Sequence, residues 1–449
     1  MKFFDIPATV ENVLAAFEEN VLGRNPDIMA FVSLLNSFDS SVSIALDASW
    51  GAGKTFFVKQ TKLVLDCFNP NIKVIDTSAS DRVKKVVKTL SKTEPELQPF
   101  VTVYYDAWIN DNDADPILSL VYSILKCADS DFSFTDGQDI LSAVTNIADA
   151  LSGMPITTVL SSLKGKDLLE SIRNKKAFDT LVTEFLSSLL PERGERLVVF
   201  VDELDRCNPD YAVKFLERIK HYFCDERITF VFSVNMGELQ HSIQHHYGNN
   251  FDACRYLDRF FDLRLDLPPA NYNKYFDTIG LNHDRYFYDQ VCQAVVNTYN
   301  FSLRETAKFF RLAKTAAYES ARSVGYSFDR ANDLFLQYIL PVMIGGKLNN
   351  HAKYTAFING FDGSMLFDFH EKNIELVNRI CSRYIPEDAN RNPVVTSLEF
   401  IEQFYDAVFV EQYTNKHIVE LYEMDIYKEH RSRFIRISNA LSGLADYEI

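Results

Sequence analysis

Cysteine is scarce and badly spaced for chemistry: Cys67, Cys127, Cys207, Cys224, Cys254, Cys292 and Cys381 lie far apart in a chain of 449 residues. No two stand at zinc spacing and the total is odd, which speaks against a structural zinc site and a disulfide framework. Reduced, cytosolic cysteine is the expectation. Positive charge is also in short supply, with 46 Lys and Arg against 62 Asp and Glu and a formal net charge of -16. Such a balance repels a phosphate backbone unless a local basic surface compensates, so nucleic acid is not favoured as a partner. No apolar run reaches the roughly 18 residues of a membrane span. The longest candidate, Ile140 to Leu163, carries Asp149 and several Ser and Thr and reads as an amphipathic helix. The opening MKFFDIPATVENVL has acidic residues early and no basic stretch ahead of an apolar one, so no signal peptide is evident. Internal repeats and low-complexity tracts are missing too. A cytoplasmic globular protein without integral membrane association is expected.

What is present is an alternation of short apolar runs and helical patterns. VSIALD (Val42 to Asp47), FVTVYY (Phe100 to Tyr105), LVVFV (Leu197 to Val201), ITFVFSV (Ile228 to Val234) and the stretch from Phe261 to Leu267 read as buried strands. Helical stretches lie between them, at Thr55 to Cys67, Pro116 to Lys126, Ala177 to Leu190 and Pro209 to Phe223. That order predicts parallel βαβ units, an α/β core covered on both faces. The polar stretch DSDFSFTDGQD, with the helical pattern after it, reads as an insertion over about 112–192. Pro268 and Pro269 stop the last strand, since proline cannot donate to a ladder. The expected division is a helical lead-in over 1–38, a core over 39–270, and an all-α domain over 271–449 with turns at Gly345-Gly346 and Asn390 to Pro393.

The segment Ala48-Ser49-Trp50-Gly51-Ala52-Gly53-Lys54-Thr55, followed by Phe56, leaves a predicted strand and opens a predicted helix, the context a P-loop requires. Gly51 and Gly53 allow positive φ, so that consecutive N–H groups can face a phosphate at the helix N-terminus. Trp50, Gly51, Ala52, Gly53, Lys54, Thr55 and Phe56 are the candidate nucleotide-binding residues. Lys54 would reach the β- and γ-phosphates and Thr55 would place its hydroxyl on Mg²⁺. Ala48 stands where the commonest form of the motif has glycine, a small change if its φ stays ordinary.

Downstream, LVVFV delivers Asp202 and Glu203 at a strand end. Asp202 is assigned to the metal, and Glu203 to polarising the attacking water. Asn235 sits at the tip of the next apolar strand, where it serves equally well as a γ-phosphate sensor or as the cap of the helix MGELQHSIQHH.

Taken in order, IALDASWGAGKT, VTVYYDAWIND, VVFVDELDRCNPDYAVKFLERIKHYF, ITFVFSVNMGELQHSI and CRYLDRFFDLRLDLP resemble the KAP P-loop NTPases, the PifA-like group, over roughly residues 15 to 315. The resemblance implies an additional-strand P-loop core, in which a strand ending at Asn235 separates the phosphate-loop strand from the Asp202 strand. It also implies ATP as nucleotide, and a soluble form, because many members carry membrane helices where this chain has its polar insertion. Asn235 replaces an aspartate frequent in the family. In similar ring or switch ATPases an arginine before the last core strand reaches across a subunit interface, which marks Arg259 and a homo-oligomer; one in the helical domain reports nucleotide state, which marks Arg304. Arg206 is a third candidate. His241, His245 and His246, and the basic runs at Arg82 to Lys92 and Lys428 to Arg436, read as solvated helix faces. The expected function is Mg²⁺-dependent ATP hydrolysis that drives a conformational or assembly switch through a protein effector partner, in prokaryotic anti-phage defence. A nucleotide-dependent scaffold without hydrolysis, and a phosphotransferase, are the alternatives.

Overall fold

Strands that are apolar along their whole length, rather than at alternate positions, need cover on both faces. Arg196–Asp202 (β3) and Ile228–Val234 (β4) are buried at every residue, and they lie at the centre of a five-stranded parallel sheet. The computed structural model describes residues 7–72, 77–91, 95–113, 115–129, 190, 193–223, 225–279, 286–323, 329–410, 416–422 and 424–440. Most of the expected insertion, with the helices proposed at Ile140 to Leu163 and Ala177 to Leu190, lies outside the described residues.

The other strands are Val42–Asp47 (β1), Phe100–Asp106 (β2) and Leu263–Asp266 (β5), and the sheet order is β2-β3-β4-β1-β5. The strand ending before Asn235 therefore does separate the phosphate-loop strand from the Asp202 strand, as the additional-strand topology requires. Register aligns the strand ends, with Asp202 opposite both Asp106 and Ser233, and Asp47 opposite both Val234 and Asp266. Four carboxylates thus line the carboxyl edge of the sheet, the edge at which open α/β folds bind ligands.

Side chains alternate between two cores. Ile44, Leu46, Val198, Phe200 and Val231 face the helices Val10–Glu18 (α1), Asn25–Asn36 (α2), Lys54–Phe68 (α3) and Thr77–Leu90 (α4). Val199, Val201, Phe230, Phe232 and Val234 face Pro116–Asp129 (α5), Pro209–Tyr222 (α6), Met236–Tyr247 (α7) and Ala253–Leu257 (α8). The lead-in helices α1 and α2 belong to the first core: Phe17, Ile28 and Val32 are buried with Phe57 and Val58 of α3.

The chain divides into two compact units, one spanning Pro7–Lys274 and the other running on from Tyr275. The second is mainly helical, but not all-α. Ile418–Leu421 (β6) and Met424–Tyr427 (β7) form an antiparallel hairpin that helical periodicity could not signal, because each strand is only four residues long. Gly345 and Gly346 are likewise not a turn. They lie buried within the helix Leu340–Asn349, where a Cβ on Gly345 would collide with Val295 and Tyr299, and one on Gly346 with Met365. The pair serves close helix packing. Because Val295 is β-branched and cannot swing aside, Gly345→Ala is expected to cost about 1–3 kcal/mol in urea unfolding of this unit. Gly346→Ala should cost less, since Met365 is flexible. Equal midpoints for both variants and wild type would refute this packing account.

Candidate phosphate-loop site

The loop between β1 and α3 places its left-handed backbone on Gly51 (φ 79°) and Gly53 (φ 92°), while Ala48 keeps a negative φ. Glycine is thus used only where the turn needs it, and alanine at the first position costs nothing. Gly53 is the N-cap of α3, so the N-terminal end of a 15-residue helix points into the loop.

Lys54 is buried (9% exposed), and its Nζ donates to the carbonyl oxygens of Ala48 (2.5 Å) and Ser49 (3.3 Å). Burial lowers the Lys54 pKa, and the neighbouring carboxylates of Asp205, Asp202 and Asp47 oppose that. Thr55 Oγ1 donates to Asp202 Oδ2 at 2.7 Å, so groups 147 residues apart in sequence meet beneath the loop. Asp202 is 1% exposed, and the same Oδ2 accepts the Tyr104 hydroxyl at 2.9 Å. Its Oδ1 accepts the Glu203 N–H at 3.1 Å. Burial, followed by the Asp202 charge, pushes the Tyr104 hydroxyl pKa well above the ordinary tyrosine value, so Tyr104 stays a donor.

Glu203 carries left-handed backbone (φ 61°), unusual for a residue with a side chain, and opens a single helical turn, Leu204–Arg206. Burial raises its carboxyl pKa, against the pull of Arg206, whose Nη2 lies 3.0 Å from Glu203 Oε1. Trp50 turns back from the loop and donates Nε1 to Asp205 Oδ2 at 2.6 Å. Trp50, Lys54, Thr55, Asp202 and Glu203 are therefore drawn into one connected cluster. Phe56 sits half-buried on the first turn of α3.

Asn235 uses its side-chain oxygen to accept the N–H groups of Gly237 and Glu238, the capping geometry for α7. Arg259 is exposed in the turn between α8 and β5. Arg304 is exposed in the first turn of the helix Leu303–Ser323, in the second unit. Among the described residues, Arg259 has no contact with the loop cluster. His246 pairs with Asp210 at 2.6 Å, and among the described residues no group of three His, Cys, Asp or Glu could hold a metal.

Two participants escaped the sequence reading. Arg24, at the start of α2, donates Nη1 to the Ala52 carbonyl at 2.9 Å from a buried position, and burial lowers its pKa to about 10. Tyr104 is the other: β2–β3 register sets it opposite Phe200, two residues before Asp202, and its hydroxyl reaches that carboxylate. A lone arginine 28 residues ahead of the residue it touches leaves no local pattern.

The profile of the KAP family P-loop domain matches residues 24–284, more than half of the chain. The chain belongs to that family. As a KAP P-loop NTPase it has a nucleotide-binding fold of a kind that uses a divalent metal. No curated protein sequence matches it. Among solved structures, it is similar to the Aeropyrum pernix ORC2 protein in ADPNP-ADP complexes, at 14% identity over 98% of this chain and 96% of that one, with a TM-score of 0.31. It is also similar to Drosophila ORC bound to GC-rich DNA and Cdc6, at 10% identity over 89% of this chain and 64% of that one, with a TM-score of 0.33. Superpositions that loose bring nothing about partners to the KAP chain.

The residues suit a nucleotide and a hard cation. Two glycine positions with φ of 79° and 92° open the backbone, and the paired oxygen donors of Thr55 and Asp202 lie at the N-terminus of α3. A site with only one or two protein oxygens suits a divalent cation whose shell phosphate and water complete. Among the described residues no helix is long and apolar enough to cross a membrane.

Proposed function

We propose that this chain is a cytoplasmic Mg²⁺-dependent ATPase whose turnover drives a conformational or assembly switch. The observation that carries the reading is the 2.7 Å bond between Thr55 and Asp202 beneath a loop whose two left-handed positions are glycine. Mg²⁺, when bound, would supply positive charge against the charge that develops on the phosphates.

The remaining roles fall to the chain's own groups. Thr55 and Asp202 would hold the metal, Asp202 through its water shell. Lys54 supplies a fixed cation to the terminal phosphates, and the N–H groups of Gly51 to Thr55 cradle the phosphate that precedes them. Trp50 and Phe56 flank this cradle. Glu203 takes the proton of the attacking water. Asn235 retains its amide NH₂ as a donor for sensing the γ-phosphate, although its oxygen is spent on the cap of α7. Arg259, exposed before β5, is suited to acting on a neighbouring copy in a homo-oligomer, and Arg304 to reporting nucleotide state to a protein effector. The family resemblance adds a setting, the ATPase component of a prokaryotic anti-phage defence system.

Steady-state ATP turnover of the full chain, with Mg²⁺ and then with a chelator, tests the chemistry. Turnover should need the metal, should fall about 100-fold or more in Glu203→Gln, and should rise per molecule with protein concentration if Arg259 acts in trans. Phage plating on cells expressing the chain or Glu203→Gln tests the setting. ATP that binds but is never hydrolysed, at any concentration, would favour the scaffold reading instead.

A further inference from the structure

Arg206 was a candidate for the arginine that acts on phosphate, but its guanidinium is committed elsewhere. Its Nη2 lies 3.0 Å from Glu203 Oε1, and its charge centre lies 5.5 Å from the centroid of the Trp108 ring. Both partners of the ion pair are about four-fifths buried, with side-chain exposures of 22% and 20%, which sets it apart from the solvated pairs that contribute little. Trp108 is half exposed, and its position is built in: the next-door Ala107 donates its N–H to the Asp202 carbonyl at 2.9 Å, and Asp106 Oδ1 accepts the Ile109 N–H at 3.0 Å. The turn after β2 is thus pinned to the last residue of β3, and it holds an indole under Arg206.

The residue before Arg206 reaches the other way. Asp205 is 5% exposed and takes the Trp50 indole N–H of the phosphate loop. A buried carboxylate is costly unless its hydrogen bonds are kept, so Asp205 depends on the one from Trp50. One turn, Leu204–Arg206, therefore ties the phosphate loop through Asp205 to Glu203 through Arg206. Glu203 itself has the left-handed backbone that a side chain resists, and such a conformation persists only where its surroundings over-determine it.

We propose that Arg206 is a positioning residue for Glu203, seated on Trp108 and coupled to the phosphate loop through Asp205 and Trp50. The inference rests on the reading of Glu203 as the group that takes the proton of water. Arg206 acts on the direction of that carboxylate and touches neither nucleotide nor metal. The only two tryptophans of the chain, Trp50 and Trp108, stand at the two ends of this connection and report on it.

The test measures kcat and KM for ATP in wild type, Glu203→Gln, Arg206→Ala, Arg206→Lys, Trp108→Ala and Trp108→Phe. Alongside, acrylamide quenching is measured with and without Arg206→Ala, and the Trp108 share of the emission is taken as the difference from the corresponding Trp108→Phe variant. Arg206→Ala should lower kcat about tenfold with KM within about twofold, the signature of a misaimed group and not of lost binding. Arg206→Lys should recover part of the loss, because an ammonium keeps the charge but not the planar fork. Trp108→Ala should lower kcat about threefold, and Trp108→Phe should stay near wild type because it keeps a ring under the cation. The quenching constant of Trp108 should rise about twofold once its covered face is opened. Unchanged kcat in Arg206→Ala, a KM rise with kcat unchanged, or unchanged quenching would each overturn the proposal. If Arg206→Ala does not fold, the Trp108→Ala and Trp108→Phe pair decides, and equal kcat values for those two overturn it. If Glu203→Gln keeps its turnover, the reading of Glu203 has failed. If that variant loses turnover and Arg206→Ala does not, only the present inference has failed.

Discussion

Lys54→Ala is expected to lower ATP turnover by about 100- to 1,000-fold and to weaken nucleotide binding as well. The reason lies in where the charge sits. Lys54 is buried at the N-terminus of α3, with Asp202, Asp205 and Asp47 as its charged neighbours. On the proposed reading its ammonium is the one fixed full positive charge that the loop brings to the terminal phosphates, and removing a single preorganised donor of this kind typically costs about 10²–10³ in rate. Its loss also leaves three carboxylates near an anionic ligand with less positive charge to offset them, so affinity falls together with turnover. Within the loop, the Ala48 and Ser49 carbonyls lose their Nζ donor, but water can replace it, so the fold should survive. Trp50 emission offers a binding readout independent of turnover, because this indole lies in the loop and is 43% exposed. Turnover within tenfold of wild type in Lys54→Ala would remove the lysine from the mechanism.

The sheet was legible because its central strands are buried on both faces. Ile228–Val234 has no polar break apart from Thr229 and Ser233, so its ends coincide with the apolar run itself. The loop was legible for a related reason: Gly51, Gly53, Lys54 and Thr55 are neighbours in sequence, and the turn and helix start that they build need that adjacency. What could not be read is what arises between distant segments. Tyr104 and Trp108 belong to a run, VTVYYDAWIND, that carried the family resemblance, yet nothing in its spacing says that one side chain meets Asp202 and the other lies under Arg206. Arg24 reaches the Ala52 carbonyl from a separate helix. Gly345 and Gly346 show the ambiguity from the other side, since a glycine pair signals equally a turn and a close helix crossing. Only the neighbours Val295, Tyr299 and Met365 decide between these. Asn235 had two readings of equal standing, and its bonds to Gly237 and Glu238 account for the cap without bearing on the other.

Asp202→Asn should cost about as much turnover as Lys54→Ala, roughly 100-fold or more, but through the metal. The carboxylate accepts from three directions, Thr55 and Tyr104 on Oδ2 and the Glu203 N–H on Oδ1. An amide of the same size keeps one acceptor oxygen: its NH₂ turned toward the hydroxyls forces Thr55 and Tyr104 to become acceptors, and turned toward the Glu203 N–H it sets donor against donor. The negative charge that would hold Mg²⁺ is lost at the same time. The Mg²⁺ midpoint for turnover should therefore rise by about tenfold or more, whereas in Lys54→Ala it should move much less. Thr55→Ala removes the other oxygen of the pair and should raise the same midpoint, while Thr55→Ser should restore it. Because the two side chains are bonded to each other and serve one ion, their effects should not add: the double variant Thr55→Ala/Asp202→Asn should be scarcely worse than Asp202→Asn alone. Additive losses, or a Mg²⁺ midpoint that does not move in Asp202→Asn, would mean that the 2.7 Å bond holds the loop to the sheet and has no part in metal binding.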